Sequence, residues 1–377
     1  MRILMTGGGT AGHVNPALAI AATIKEKHPD AEIAFVASTQ PRDKAGDLVP
    51  RAGYPLHTVN IRGVARPFWS PSAMMANLKL PFLMMRSKEE AATLIRDFRP
   101  DLIVGTGGFA CWPLCHAGSR MGIPTALHES NAIPGKAIQR LAGQVDLILV
   151  NFEESIPAFG GAGKRTPILR VGNPMMTGFQ SLSREEARQS LGLSPTDVYI
   201  LSFGGSLGAE YLNDAVVNMV AELGADPRVK VTHAAGKRDY ERILTDWNQK
   251  VGENPRMTLR DYIYDMPIQM AAADLVISRA GAMSLSELAL TGKAAILVPS
   301  PNVAGQHQLK NAMALVRAGA SVCVEEHTLA SGALTQQVKA LVADETARKS
   351  LGDTIRREFA CPHANEQIYT ALMKLIK

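Results

Sequence analysis

Short apolar runs alternate with longer segments of helical periodicity along nearly the whole chain, and the pattern occurs twice. "RILMT" at residues 2–6 leads into "GGGTAGH", and "YILSF" at 199–203 leads into "GGSLGA". "DLIVGTGG" at 101–108 is echoed by "DLVISRAG" at 274–281, and "PTALHESN" at 124–131 by "AAILVPSPN" at 294–302. Strands separated by helix-length segments predict parallel sheets with helices on both faces, because a parallel crossover needs a dozen or more residues. Ligands in such sheets sit at the carboxyl ends of the strands. Every glycine turn in the pattern falls at such an end, so two successive α/β units facing one cleft are expected.

The extended segment "RVGNPMMTG" at 170–178 places the change between them, since the residue before a proline disfavours helix. The expected divisions are an N-terminal domain at 1–170, a linker at 171–178, a C-terminal domain at 179–350, and a helical segment at 351–377 that packs back on the N-terminal domain.

Gly7, Gly9 and Gly12 fit the G-x-G-x-x-G spacing of a dinucleotide site. Such a site also requires an acid at the end of the second strand to grip the ribose. Here that strand, "IAFVAST", carries Ala37 and Ser38 instead, while Asp30 and Glu32 lie at its other end. The NAD reading loses most of its support, although a helix N-terminus remains a good place for an anion.

Length and composition fit two ordinary globular cores: 377 residues, 46% hydrophobic and 20% charged. The net charge of +5 lacks the dense Lys/Arg runs of a nucleic-acid binder, so no nucleic-acid partner is expected. Cys111, Cys115, Cys323 and Cys361 form neither a zinc pattern nor a disulfide framework. No signal peptide and no apolar run of spanning length are read, which points to a soluble or peripheral protein.

His13 follows the first glycine turn, and Asn15 with Pro16 reads as cap and first residue of the ensuing helix. An imidazole at that mouth can take a proton from an attacking hydroxyl, or simply hydrogen-bond the loop. "AMSLSELALTG" reads as a helix from Ser284 to Thr291, in which Ser284 and Glu287 have capping-box spacing. Glu287 could equally accept two hydrogen bonds from a ribose diol. "HESN" sets out His128, Glu129 and Asn131, and "GQHQLKNA" sets out Gln306, His307, Gln308 and Asn311; each is either a helix-capping loop or part of the cleft. No Asp-x-Asp pair is present to hold a metal on sugar-nucleotide phosphates, so no metal and no cofactor are expected.

The stretch from Arg62 to Glu90 mixes Phe68, Trp69, Phe82 and several methionines with Arg62, Arg66, Lys79, Arg86 and Lys88. That mixture suits either an anionic membrane surface or a buried helix pair interrupted by Pro81.

The motifs GGGTAGH, GTGGF, HESNAIPG, VGNP, GGSLGA, SRAGAMSLSE and HQLKNA, in this order over nearly the whole chain, resemble the bacterial MurG glycosyltransferases. The resemblance implies an α/β fold of GT-B architecture: two Rossmann-like, doubly wound parallel-sheet domains facing a cleft. It implies inverting transfer of N-acetylglucosamine from UDP-N-acetylglucosamine to an undecaprenyl-linked N-acetylmuramyl-pentapeptide, at the cytoplasmic face of the cell membrane. Carried over by position, Ser206 receives the diphosphate, Ile263 lies by the uracil, and Ala282, Met283, Ser284, Leu285 and Ser286 form the donor loop. Glu287 binds the ribose, while Thr10, Ala11, Gly12, Asn131 and Gln308 contact the sugar nucleotide. His13 is the candidate base and Glu129 its rival.

Departures from the family pattern are Ala11 for a glycine, Met176 for an arginine, Cys111-Trp112 for Ser-Gly, and Ser130 for glutamine. The alternatives are another GT-B lipid glycosyltransferase, a UDP-sugar epimerase, or a non-catalytic binder of the lipid precursor.

Overall fold

The computed structural model describes residues 1–41, 43–64, 69–175, 178–179, 182–205, 208–303 and 306–376. Two compact units result: Met1–Met175 together with His363–Lys377, and Met176–Pro362. The first contains strands β1 (Arg2–Thr6), β2 (Glu32–Ser38), β3 (Leu56–Val59), β4 (Leu102–Gly105), β5 (Thr125–Glu129), β6 (Leu147–Val150) and β7 (Ile168–Arg170). The second contains β8 (Val198–Phe203), β9 (Val229–Ala234), β10 (Met257–Arg260), β11 (Leu275–Ser278), β12 (Ala294–Leu297) and β13 (Val322–Cys323).

The strand orders are β3-β2-β1-β4-β5-β6-β7 and β10-β9-β8-β11-β12-β13. The pairings are parallel: Ile3 lies between Ile33 and Leu102, and Ile200 between Val231 and Leu275. In each sheet the order reverses beside the strand that precedes a glycine turn, β1 in one and β8 in the other. Loops that leave this switch point diverge to opposite faces and open a crevice at the carboxyl ends.

Both faces of the first sheet are covered at its centre, which explains the near-continuous apolar runs of β1, β2, β4 and β6. Ile3 and Met5 pack on one face with Val14, Ala17 and Ile20. Leu4, between them, turns to the other face with Ile95, Leu114 and Leu127.

The first helix runs Ala11–Lys27, with Thr10 as its extended cap residue, so it is capped five residues before the Asn15 read from the sequence. Asn15 and Pro16 lie inside it. Pro16 is buried there and removes the amide that would have bonded the Gly12 carbonyl. The helix can start early because Gly9, at φ 85°, lets the chain reverse directly into it. Ala11, the departure from glycine, takes helical backbone and is therefore unstrained.

The segment 351–377 is shared between the units. The helix Glu345–Phe359 belongs to the second unit, whereas the helix Ala364–Met373 belongs to the first and packs on Ala11–Lys27. Glu366 pairs with Lys27 at 2.7 Å, His28 Nε2 and the Tyr369 hydroxyl are 2.8 Å apart, and Ile368 and Leu372 are buried in the cluster that holds Ile20 and Ile24. Asn365 also donates to the Met175 carbonyl and accepts from its amide, both at 2.8 Å.

Since Leu372 is fully buried, Leu372→Ala should cost the first unit about 2–5 kcal/mol in urea unfolding. An unchanged midpoint would show that the C-terminal helix is not part of that core.

Candidate active site

The loops after β1 and β4 are bonded to each other in the first unit. The Gly8 amide donates to the Gly107 carbonyl at 3.3 Å, and the Thr106 hydroxyl donates to the His13 carbonyl at 2.6 Å. Their approach is so close that a Cβ on Gly7 would lie 2.1 Å from the Thr106 hydroxyl oxygen. Thr106 belongs to the quoted "GTGGF", yet its glycines drew the attention and its hydroxyl did not.

His13 is half-buried in the first turn of its helix. Its Nδ1 is 3.0 Å from the Gly8 carbonyl oxygen. A carbonyl only accepts, so Nδ1 carries the proton and the lone pair of the neutral ring is on Nε2. Burial holds the ring's pKa below the usual 6.5, an effect partly offset by the Gly8 carbonyl and the charge of Asp43. At neutral pH the imidazole is therefore uncharged and able to receive a proton at Nε2. Gly107 keeps that edge open: at φ 108°, a Cβ there would sit 3.0 Å from Nε2.

Glu129 ends β5 almost fully buried, and its two oxygens serve the following loop. Oε1 accepts from the Asn131 amide at 2.9 Å and from Asn131 Nδ2 at 3.0 Å, while Oε2 accepts from the Gly135 amide at 2.8 Å. The carboxylate thus shapes the loop that presents Asn131. His128, beside it, donates from Nε2 to the Gly172 carbonyl, and burial pushes its pKa down to about 4.

Thr10 and Gly12 are exposed and Ala11 is half-buried at the same helix start. Asp43 was not read from the sequence as a site residue. It is 8% exposed and accepts from the Gly9 amide at 2.7 Å, behind the glycine loop. An acid does follow the second strand, five residues beyond its end, but it binds backbone amides.

The helix Ala282–Thr291 follows β11 in the second unit, with Gly281 as its extended cap residue and no side-chain cap. The expected capping box is therefore absent: the helix starts two residues early, which puts Ser284 in its first turn and Glu287 a turn further on. Ala282 and Leu285 are buried, whereas Met283, Ser284, Ser286 and Glu287 remain partly exposed. Among the described residues nothing donates to the Glu287 carboxyl, and desolvation pushes its pKa up to about 7. A half-buried carboxyl in that condition is ready to accept hydroxyl donors from a ligand.

The loop ahead of this helix is braced from two sides. Asn311 Nδ2, buried, donates to the Ala280 carbonyl at 3.3 Å. Arg279 donates to the Val298 carbonyl at 3.1 Å and pairs with Glu326. Gln308 accepts from the Ser300 amide at 2.8 Å, which ties its helix to the loop after β12. Gln306 has φ 54°, a left-handed backbone rare for a side-chain-bearing residue. Ile263 is buried at 3% exposure, between the more exposed Tyr262 and Tyr264. Ser206 and Met176 lie outside the described residues, as do Arg66 and Phe68.

The glycosyltransferase family 28 N-terminal domain matches residues 3–150, and the family's C-terminal domain matches 199–365. A relative from Acetivibrio thermocellus is 36% identical over all of this chain and 99% of its own length, and one from Moorella thermoacetica is 35% identical over the whole of both. Each is named UDP-N-acetylglucosamine--N-acetylmuramyl-(pentapeptide) pyrophosphoryl-undecaprenol N-acetylglucosamine transferase. In fold, the chain is similar to crystalline Acinetobacter baumannii MurG, with a TM-score of 0.77, 24% identity and 99% of each chain covered. It is also similar to a UDP-GlcNAc 2-epimerase from Neisseria meningitidis, with a TM-score of 0.65, 14% identity and coverage of 99% of this chain and 100% of the other. Fold alone does not separate transfer from epimerisation, but full-length identity to the named transferases does: the chain is a glycosyltransferase and belongs to the MurG family within glycosyltransferase family 28.

Proposed function

We propose that the chain transfers N-acetylglucosamine from UDP-N-acetylglucosamine to a lipid-linked N-acetylmuramyl-pentapeptide, with inversion at the anomeric carbon. The observation that carries this reading is the end-to-end match to transferases of that name. The acceptor hydroxyl attacks the anomeric carbon and its proton passes to His13 Nε2. The bond from that carbon to the diphosphate oxygen breaks, and UDP leaves with the electron pair. The neutral, oriented imidazole supports His13 as the base over Glu129, whose oxygens are engaged by the 131–135 loop. Asn131, Thr10, Ala11 and Gly12 are proposed as sugar-nucleotide contacts of the first unit.

On the second unit, backbone amides of the β8 turn with Ser206 take the diphosphate, and the uracil is held at Ile263. Residues 282–286 and Gln308 border the donor, and Glu287 accepts from the ribose hydroxyls. In this reading helix N-termini and amides carry the diphosphate charge without a metal or a cofactor.

Among the described residues no helix is long and apolar enough to cross a membrane. The helices Pro71–Leu78 and Leu80–Phe98 nevertheless expose Leu78 at 80% and Phe82 at 69%, with Trp69 just ahead at 82%. Lys79, Arg86 and Lys88 lie on the same stretch. We read this surface as the contact with an anionic membrane, which places the enzyme peripherally on the cytoplasmic leaflet.

Incubation with UDP-N-acetylglucosamine and a soluble lipid-linked muramyl-peptide should yield the disaccharide; conversion of the nucleotide sugar to an epimer, or transfer of a different sugar, would sink the assignment. His13→Ala should lower kcat by about 100-fold or more while leaving the donor KM unchanged; a rise in KM alone would return His13 to a binding role.

Glu287→Ala should raise the donor KM by about 10- to 100-fold, the scale of hydrogen bonds to a charged group. Because the free carboxyl titrates near 7 and the ribose favours its ionised form, donor affinity should fall as pH drops below about 7, and Glu287→Gln should abolish that dependence. The same pH dependence in the variant would assign it elsewhere.

Replacing Trp69 and Phe82 with serine should reduce sedimentation with anionic liposomes and leave donor binding intact. Undiminished sedimentation would remove the membrane role from this surface.

A further inference from the structure

Asp43 stands just ahead of the short helix Ala45–Arg51, in the loop that follows β2. Three backbone amides converge on its carboxylate. Oδ1 accepts from Gly9 at 2.7 Å and from Ala45 at 3.1 Å, and Oδ2 accepts from Ser38 at 3.1 Å. One interaction ties down the glycine loop, one the end of β2 and one the next helix. The Lys44 amide adds a reciprocal contact, donating to the Gly9 carbonyl at 3.4 Å. Gly8 lies so close that a Cβ there would come within 2.6 Å of Oδ2.

The same Gly8 supplies the carbonyl that holds His13 Nδ1. A continuous path of contacts thus runs from Asp43 through Gly8 and Gly9 to the imidazole, and the hydrogen bonds of the carboxylate go to backbone amides rather than to the ring. We propose that Asp43 is a positioning residue for proton transfer: by fixing the glycine loop it sets the direction of the Gly8 carbonyl, and so the tautomer and aim of His13. Charge-assisted bonds to backbone amides are the stronger kind, which suits a group that must hold a loop against thermal motion. Its negative charge also favours the imidazolium formed when His13 takes the acceptor's proton. The proposal rests on the transfer reaction given above and adds to it a residue remote from the reacting atoms.

Asparagine is nearly isosteric but replaces one acceptor oxygen with a donor, so Asp43→Asn must lose the Gly9 and Ala45 bonds or the Ser38 bond. Steady-state transfer and amide hydrogen exchange should be measured on the full-length variant. The expected result is a fall in kcat of about 100-fold, as for a misaligned catalytic group, with the donor KM unchanged and Gly9 exchange accelerated. Among the described residues Asp43 is the charged group whose field acts on His13, and its field raises the ring's pKa. The acid limb of the rate profile should therefore move to lower pH.

Unchanged kcat overturns the proposal, and so does a loss of rate with an unmoved acid limb and wild-type protection at Gly9. Should Asp43→Asn fail to fold, Asp43→Glu, which keeps the charge but displaces the oxygens, is read by kcat and Gly9 exchange alone: a fall in kcat with accelerated Gly9 exchange is expected, and an unchanged kcat or wild-type protection at Gly9 overturns the proposal. A wild-type protein that forms no disaccharide defeats the transfer reading instead; Gly9 exchange still tests the Asp43 brace in that case.

Discussion

The close approach of two loops at the switch point of the first sheet is the constraint on which the site depends. β1 and β4 are neighbours whose following loops leave in opposite directions, and the backbone of Gly7 and Gly8 has to pass against Thr106 and Gly107. Only glycine fits where a Cβ would meet the Thr106 hydroxyl oxygen at 2.1 Å. That fit brings the Thr106 hydroxyl to the His13 carbonyl and the Gly8 carbonyl to His13 Nδ1. A histidine on a helix start would otherwise choose freely between two tautomers. Here the surrounding backbone chooses for it.

The two units repeat one topology but arrange their titratable groups differently. Burial lowers the pKa of His13, leaving an uncharged base, and raises that of Glu287, leaving a carboxyl that titrates near neutrality. Desolvation is the common cause, and it acts with opposite sign because one group is charged when protonated and the other when deprotonated. Each unit also sends a carboxylate from the loop after its second strand towards its glycine turn. Asp43 lies against Gly8, and a Cβ on Gly208 would come within 2.9 Å of Asp239 Oδ2.

Much of this was legible in the sequence. Repeated apolar runs ending in glycine turns foretold parallel sheets with those turns at their carboxyl ends, and His13 stood out because it adjoins such a turn. What could not be read depended on local geometry. Asn15 and Pro16 have the composition of a helix start, but the turn at Gly9 launches the helix before them. Ser284 and Glu287 have capping-box spacing, but the helix begins at Ala282, and among the described residues nothing donates to the Glu287 carboxyl. A dinucleotide site requires its acid at the end of β2, where Ala37 and Ser38 stand. Asp43 lies further on and folds back, and linear spacing does not encode that return. The stretch around Trp69 and Phe82 has a composition equally suited to core and surface, and only the exposure of those side chains separates the two.

Burial holds His13 neutral, and the Gly8 carbonyl keeps the lone pair of the neutral ring on Nε2. The most direct test is a nitrogen-15 histidine spectrum of the full-length protein, titrated with pH alongside the transfer rate. The expected result is a protonated Nδ1, a pKa below 6.5, and an acid limb in kcat that follows that titration. A protonated Nε2 in the neutral ring, or an acid limb that persists in His13→Ala, would contradict it.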